Sequence, residues 1–187
     1  MYSSLEKTYL LNLARRSIKN YLEFDKILKI DEKELPSEKL KETRACFITL
    51  TINGELRGCI GHLLPTQELF QDVIDNAISA AFQDPRFFPL EAEDLQKIKI
   101  EISILTVPKP LPFVSPSDLL AKLQPKKDGV ILKHGRQQAT FLPQVWQELT
   151  KKEEFLMHLC QKAGLDSNCW QEEDLKVETY QAEAFEE

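Results

Sequence analysis

No two of the four cysteines, Cys46, Cys59, Cys160 and Cys169, form a CxxC pair, and four thiols in 187 residues are too sparse for a disulfide-stapled scaffold. All four are therefore expected as reduced thiols. No apolar run approaches the roughly 20 residues that a membrane-spanning helix needs. The opening residues Met1-Tyr2-Ser3-Ser4 lead into a polar amphipathic pattern rather than a signal peptide, so the expected location is cytoplasmic. Positive charge is also short: Lys+Arg 24 stand against Asp+Glu 30, a formal net charge of -6. Such a chain has no basic field for phosphate backbones, which argues against nucleic acid as a partner.

What is present suits one domain with a sizeable core, at 42% hydrophobic residues. Leu10, Leu13, Ala14, Ile18, Tyr21 and Leu22 recur at helical spacing and predict an amphipathic helix from about Ser4 to Leu22. A charge-rich surface connection follows to Arg44. The strand-like run Ala45 to Ile52 then meets Asn53-Gly54, a dipeptide suited to a type I′ turn, and returns through Leu56-Arg57-Gly58-Cys59-Ile60-Gly61. A regular two-residue hairpin sets Ile52 against Glu55, Leu50 against Arg57, Ile48 against Cys59 and Cys46 against Gly61. In that register Arg57 and Cys59 share one face, and Phe47, Thr49, Leu56, Gly58 and Ile60 share the other. Cys46 and Cys59 are then diagonal, about 7 to 8 Å apart at Cα, which disfavours a disulfide between them.

Thr66 is a candidate N-cap for a helix carrying Leu69, Phe70, Val73, Ile74, Ala77, Ile78 and Ala81, which Asp84-Pro85 ends. In the turn that follows, Asp84 and Arg86 can pair or face a ligand. Ile98, Ile100, Ile102 and Ile104 alternate with polar residues, as in a half-buried strand with Glu101 and Ser103 on one face. Prolines 108, 110, 112 and 116 stiffen a connector, a short helix spans Ser117 to Leu123, and a second hairpin spans Val130 to Leu142. Helical pieces then carry Val145 to Leu149 and Phe155 to Ala163, and one last strand runs from about Leu175 to Phe185. Hairpin, helix and strand are thus written twice, without a convincing sequence repeat. The expected fold is a duplicated α+β architecture around one mostly antiparallel sheet.

Candidate chemistry gathers at the hexapeptide. A cation such as Arg57 would stabilise the thiolate of Cys59 and make it a nucleophile, whereas among aliphatic neighbours the same residue is an inert small hydrophobe. Arg57 on an inward face needs either an anionic ligand or an ion pair with Asp84 or Glu101. Gly58 and Gly61 either relieve crowding or expose N–H groups to an oxyanion. Cys59 and His62 make half of a zinc spacing without a second pair, so no metal site is expected. A triad of Cys59, His62 and Glu101 requires all three to converge. His134 and His158 read as ordinary surface or boundary residues, and Trp146 and Trp170 as packing.

The hexapeptide, with Asp84-Pro85-Arg86-Phe87, Ile102-Ser103-Ile104-Leu105, Asp128-Gly129-Val130, Phe141-Leu142-Pro143-Gln144-Val145 and Lys162-Ala163-Gly164-Leu165, resembles the AMMECR domain family, whose prokaryotic members are the A component of the AmmeMemoRadiSam system. The resemblance spans roughly Leu10 to Phe185. It implies two β(3)-α(2) repeats in one barrel-like sheet with helices outside, with a larger lobe of about 1–110 and a smaller one of about 111–187. It implies no established reaction or cofactor. It does imply the company of a Memo-type protein and a radical SAM enzyme. The family signature falls on residues 56–61, with Asp84, Arg86, Glu101 and Ser103 as secondary blocks; at position 62 other members often carry threonine. Two functions are expected from this pattern: binding of an anionic small molecule or modified side chain in a cleft at the hexapeptide, or a non-catalytic adaptor in which the hexapeptide marks the fold.

Overall fold

A computed structural model describes residues 1–172 and 174–187. The elements are α1 (Ser4–Phe24), β1 (Ala45–Ile52), β2 (Glu55–Gly61), α2 (Leu69–Phe82), β3 (Ile98–Leu105), β4 (Lys109–Pro110), α3 (Pro116–Lys122), β5 (Gly129–His134), β6 (Gln137–Phe141), α4 (Lys152–Lys162), β7 (Lys176–Tyr180) and β8 (Ala182–Glu186). The order helix, hairpin, helix, strand therefore occurs twice, as α1-β1-β2-α2-β3 and α3-β5-β6-α4-β7. Among the described residues the strands divide into two four-stranded sheets, ordered β2-β1-β3-β8 and β4-β7-β5-β6, and neither closes into a barrel. This replaces the single barrel-like sheet expected above.

The chain forms two compact units, residues 1–107 with 183–187, and residues 108–182. Each repeat sends its last short strand to the other sheet: β4 follows β3 but pairs with β7, and β8 follows β7 but lies beside β3. For this reason the expected continuous strand from Leu175 to Phe185 is two strands broken at Gln181.

In the first unit, Ser3 caps α1 and its hydroxyl accepts from the Glu6 N–H, while the Glu6 carboxylate accepts from the Ser3 N–H at 2.7 Å, a reciprocal capping box. α1 packs on α2 and β3, and α2 packs on β1 and β2. Cys46, Ile48 and Leu50 of β1 and Ile98, Ile100, Ile102 and Ile104 of β3 are buried in that core with Val73, Ile74 and Ala77 of α2. Asn53 and Gly54 have φ of 54° and 84°, the left-handed pair that the hairpin turn requires. Thr66 does not cap α2; Glu68 occupies the N-cap position without a side-chain bond.

The second unit has its own core, in which Trp146 stacks on Phe155 at 3.7 Å and donates its indole N–H to the Asp128 carbonyl. Here the cysteine expectation is corrected. Cys160, near the end of α4, and Cys169, in the following helical turn, are joined as a disulfide across 6.0 Å of Cα separation. They lie nine positions apart in sequence, so no short motif announces the pair. Cys46 and Cys59 are free. Among the described residues, no helix is long and apolar enough to cross a membrane.

Candidate functional site

A β-bulge between Leu50 and Thr51 on β1, opposite Arg57, resets the hairpin. Thr51 faces Leu56 and Leu50 faces Gly58, so Arg57 is the additional residue on β2. Beyond it Cys59 opposes Thr49, Ile60 opposes Ile48 and Gly61 opposes Phe47, one position away from the regular register. The faces change accordingly. Gly58 turns to the helical side, where a Cβ would collide with the Ala80 carbonyl of α2, and Cys59 turns to the opposite side. Gly61 is equally constrained, because a Cβ there would strike the Phe47 ring and backbone. Each glycine therefore has a steric reason of its own.

On the face away from α2, Cys59 and Glu101 both pair with Thr49 from opposite sides, and the three residues form one row across β2, β1 and β3. Thr49 Oγ1 donates to Cys59 Sγ at 3.3 Å, and Ser103 Oγ donates to Glu101 at 3.4 Å. Burial pushes the Cys59 thiol up; the Thr49 hydroxyl and the Arg86 charge oppose this, and the Asp84 and Glu101 charges add to it. The result is a neutral thiol at physiological pH. The cation acting on it is Arg86, where Arg57 was expected.

β2 is an edge strand, and its outer side is closed by the turn after α2. The Asp84 carboxylate accepts the Cys59 N–H at 2.9 Å, the Arg86 N–H at 3.1 Å, and Arg86 Nε and Nη2 at 2.9 and 2.7 Å. Arg86 Nη2 also donates to the Cys59 carbonyl at 3.3 Å. Donor and acceptor of one residue are thus both bound by an ion-paired loop, which blunts the edge as well as fixing Cys59. The Arg86 hydrogen bonds foremost, joined by the Cys59 and Arg86 backbone N–H groups, hold the Asp84 carboxyl down at about 2 against the effect of its burial.

Arg57 pairs with neither Asp84 nor Glu101. Its Nη2 reaches the Pro89 carbonyl at 3.3 Å and lies 3.8 Å from Asp94, so it ties the bulge to the 84–94 loop. His62 points to the helical side: Nδ1 lies 2.6 Å from Asp72 on α2. Cys59 and His62 thus occupy opposite faces, and the triad with Glu101 is not assembled. Sequence reasoning missed Thr49, Asp72 and Asp94. Asp72 alone carried a signal, as a carboxylate set among the apolar positions of α2. Among the described residues, no group of three or more His, Cys, Asp or Glu could hold a metal ion.

The AMMECR1 family profile matches residues 11–185. The chain belongs to the AMMECR1 family. Protein MK0488 of Methanopyrus kandleri is 40% identical, with 97% of this chain and 88% of that protein covered. Protein MJ0810 of Methanocaldococcus jannaschii is 40% identical, covering 97% and 90%. The crystal structure of uncharacterized protein PH0010 from Pyrococcus horikoshii superposes with a TM-score of 0.88 at 37% identity, over 96% of this chain and 90% of that one. PH0010 shares the fold described here, and the names of all three proteins state no activity.

Proposed function

We propose that this AMMECR1 chain is a binding protein for an anionic small molecule or a modified side chain, taken at the sheet face and edge around Cys59. The observation that supports this best is the state of Arg86. Its Nε and Nη2 are anchored by buried Asp84, its side chain is 54% exposed, and Nη1 makes no hydrogen bond among the described residues. With Nε and both protons of Nη2 engaged by Asp84 and the Cys59 carbonyl, the guanidinium is locked and Nη1 alone is left to meet an oxygen of a carboxylate or similar group, at little entropic cost. Cys59 and Thr49 beside it offer neutral polar contacts. The backbone at Gly58 and Gly61 and the loop held by Arg57 shape the edge, while Asp84 positions Arg86.

Catalysis by Cys59 would need the thiolate, which burial, Asp84 and Glu101 all oppose. A binding role is therefore the better reading than a nucleophilic one. The proposed partners, a Memo-type protein and a radical SAM enzyme, and a cytoplasmic location rest on the family resemblance and the sequence. The adaptor reading is favoured by one observation: the steric need for Gly58 and Gly61 explains that part of the signature without a ligand.

The test compares small molecules retained by wild type, Arg86→Gln and Cys59→Ala after purification from lysate, read by native mass spectrometry beside thermal melts. Loss of a retained species in Arg86→Gln, in a folded protein, supports the cleft. Identical retention in all three, including none, overturns it in favour of the adaptor.

A further inference from the structure

The second polar cluster of the first unit lies on the opposite face of its sheet. Asp72, in the first turn of α2, has a side chain only 1% exposed. Its Oδ2 accepts the Cys46 N–H at 2.8 Å, and its Oδ1 accepts Gln67 Nε2 at 3.2 Å and faces His62 Nδ1 at 2.6 Å. The Asn76 amide nitrogen also lies 3.2 Å from Nδ1, but the Asp72 oxygen at 2.6 Å is much the nearer group; since the other two neighbours of that carboxylate are obligate donors, it acts as an acceptor throughout and Nδ1 carries the imidazole proton. The lone pair is then on Nε2. The His62 side chain is 47% exposed, and Nε2 makes no hydrogen bond among the described residues. A buried carboxylate thus fixes the tautomer and orientation of an imidazole whose free nitrogen faces outward, the arrangement in which histidine serves as base or nucleophile.

We propose that His62 is an acyl-accepting imidazole, acting on activated carboxylic esters or thioesters. The local charge selects this class over phosphoryl donors. Gln67 Nε2 also donates to Asp75 at 3.0 Å, which places a second carboxylate one amide away from Asp72. Two carboxylates disfavour a phosphoryl dianion on Nε2, and they favour the acyl-imidazolium cation that forms on acyl transfer. In the step, Nε2 forms a bond to the acyl carbon while the carbon–oxygen or carbon–sulfur bond breaks, and the leaving group departs as an alkoxide, phenolate or thiolate. Nδ1–H remains hydrogen-bonded to Asp72 and shares the positive charge. Water then adds to the acyl carbon and loses one proton to solvent, the carbon–nitrogen bond breaks with its electron pair returning to Nε2 as neutral imidazole, and the carboxylic acid leaves and gives its own proton to solvent.

The probe is p-nitrophenyl acetate, followed by p-nitrophenolate release at neutral pH. Wild type is expected to exceed His62→Gln at least tenfold, while His134→Gln and His158→Gln match wild type. Asp72→Asn is expected to lie at least tenfold below wild type. Because that variant alters a buried group, 15N NMR of wild-type His62 supplies an independent reading, with the Nδ1–H tautomer expected. Release that is unchanged in His62→Gln overturns the proposal, as does a His62 ring protonated at Nε2 alone.

Discussion

The Asp84 carboxylate accepts the backbone N–H of Cys59 at 2.9 Å, so a loop side chain stands where a neighbouring strand would otherwise bond. That carboxyl titrates at about 2 in the folded protein, against an ordinary value of about 3.9 in an unfolded chain. Its contribution is fully present above about pH 4 and is lost as pH falls towards 2, and amounts to about 2 kcal/mol. Asp84→Asn is therefore expected to be less stable than wild type at pH 7, with the gap closing near pH 2. Urea unfolding at both pH values checks this; a constant gap would show that the ionised carboxylate contributes nothing.

Gly58 packs against the α2 backbone, and a backbone carbonyl cannot swing aside as a side chain can. Gly58→Ala is expected to cost about 1 to 3 kcal/mol, the usual range for overpacking. Thermal melts at neutral pH measure it, and an unchanged melting temperature would mean that α2 shifts freely on the sheet.

The neutral, half-buried Cys59 thiol should alkylate slowly. At pH 7.5 iodoacetamide is expected to modify native Cys59 at least tenfold more slowly than the same cysteine in the urea-unfolded chain. Mass spectrometry of the peptide that contains Cys59 gives both rates. Native labelling as fast as unfolded labelling would restore the thiolate reading.

In the unreduced, denatured protein only Cys46 and Cys59 should take up label, because Cys160 and Cys169 are joined. Replacing both with serine is expected to lower stability by about 2 to 3 kcal/mol, the loop-closure estimate for so short a ring. Four labels before reduction would show the bond to be absent.

Much of this fold was legible because local rules agree with it. Alternating isoleucines place β3, Asn53-Gly54 places the turn of β1 and β2, and the apolar spacing of α1 and α2 finds both helices. The register failed at a single residue. A bulge leaves no mark in composition, and inserting Arg57 moved Cys59 from the expected Ile48 to Thr49 and exchanged the faces of everything after it. Site partnerships failed for a related reason: Asp84 with Arg86 is two residues apart and readable, whereas Arg57 with Asp94 and His62 with Asp72 depend on where a loop and a helix return. The Cys160–Cys169 bond is short in sequence, but nothing local distinguishes it from two reduced thiols.

The exchange of β4 and β8 bears on how the chain can be made. Synthesis runs from the N-terminus, so the first sheet has β1, β2 and β3 early but must wait for residues 108–181 before β8 exists to cover β3. Until then the β3 edge and the core that Phe185 helps to close are exposed. The first unit is thus begun first and finished last, and a nascent chain stalled before residue 182 would present the open outer edge of an isoleucine-rich strand to its surroundings.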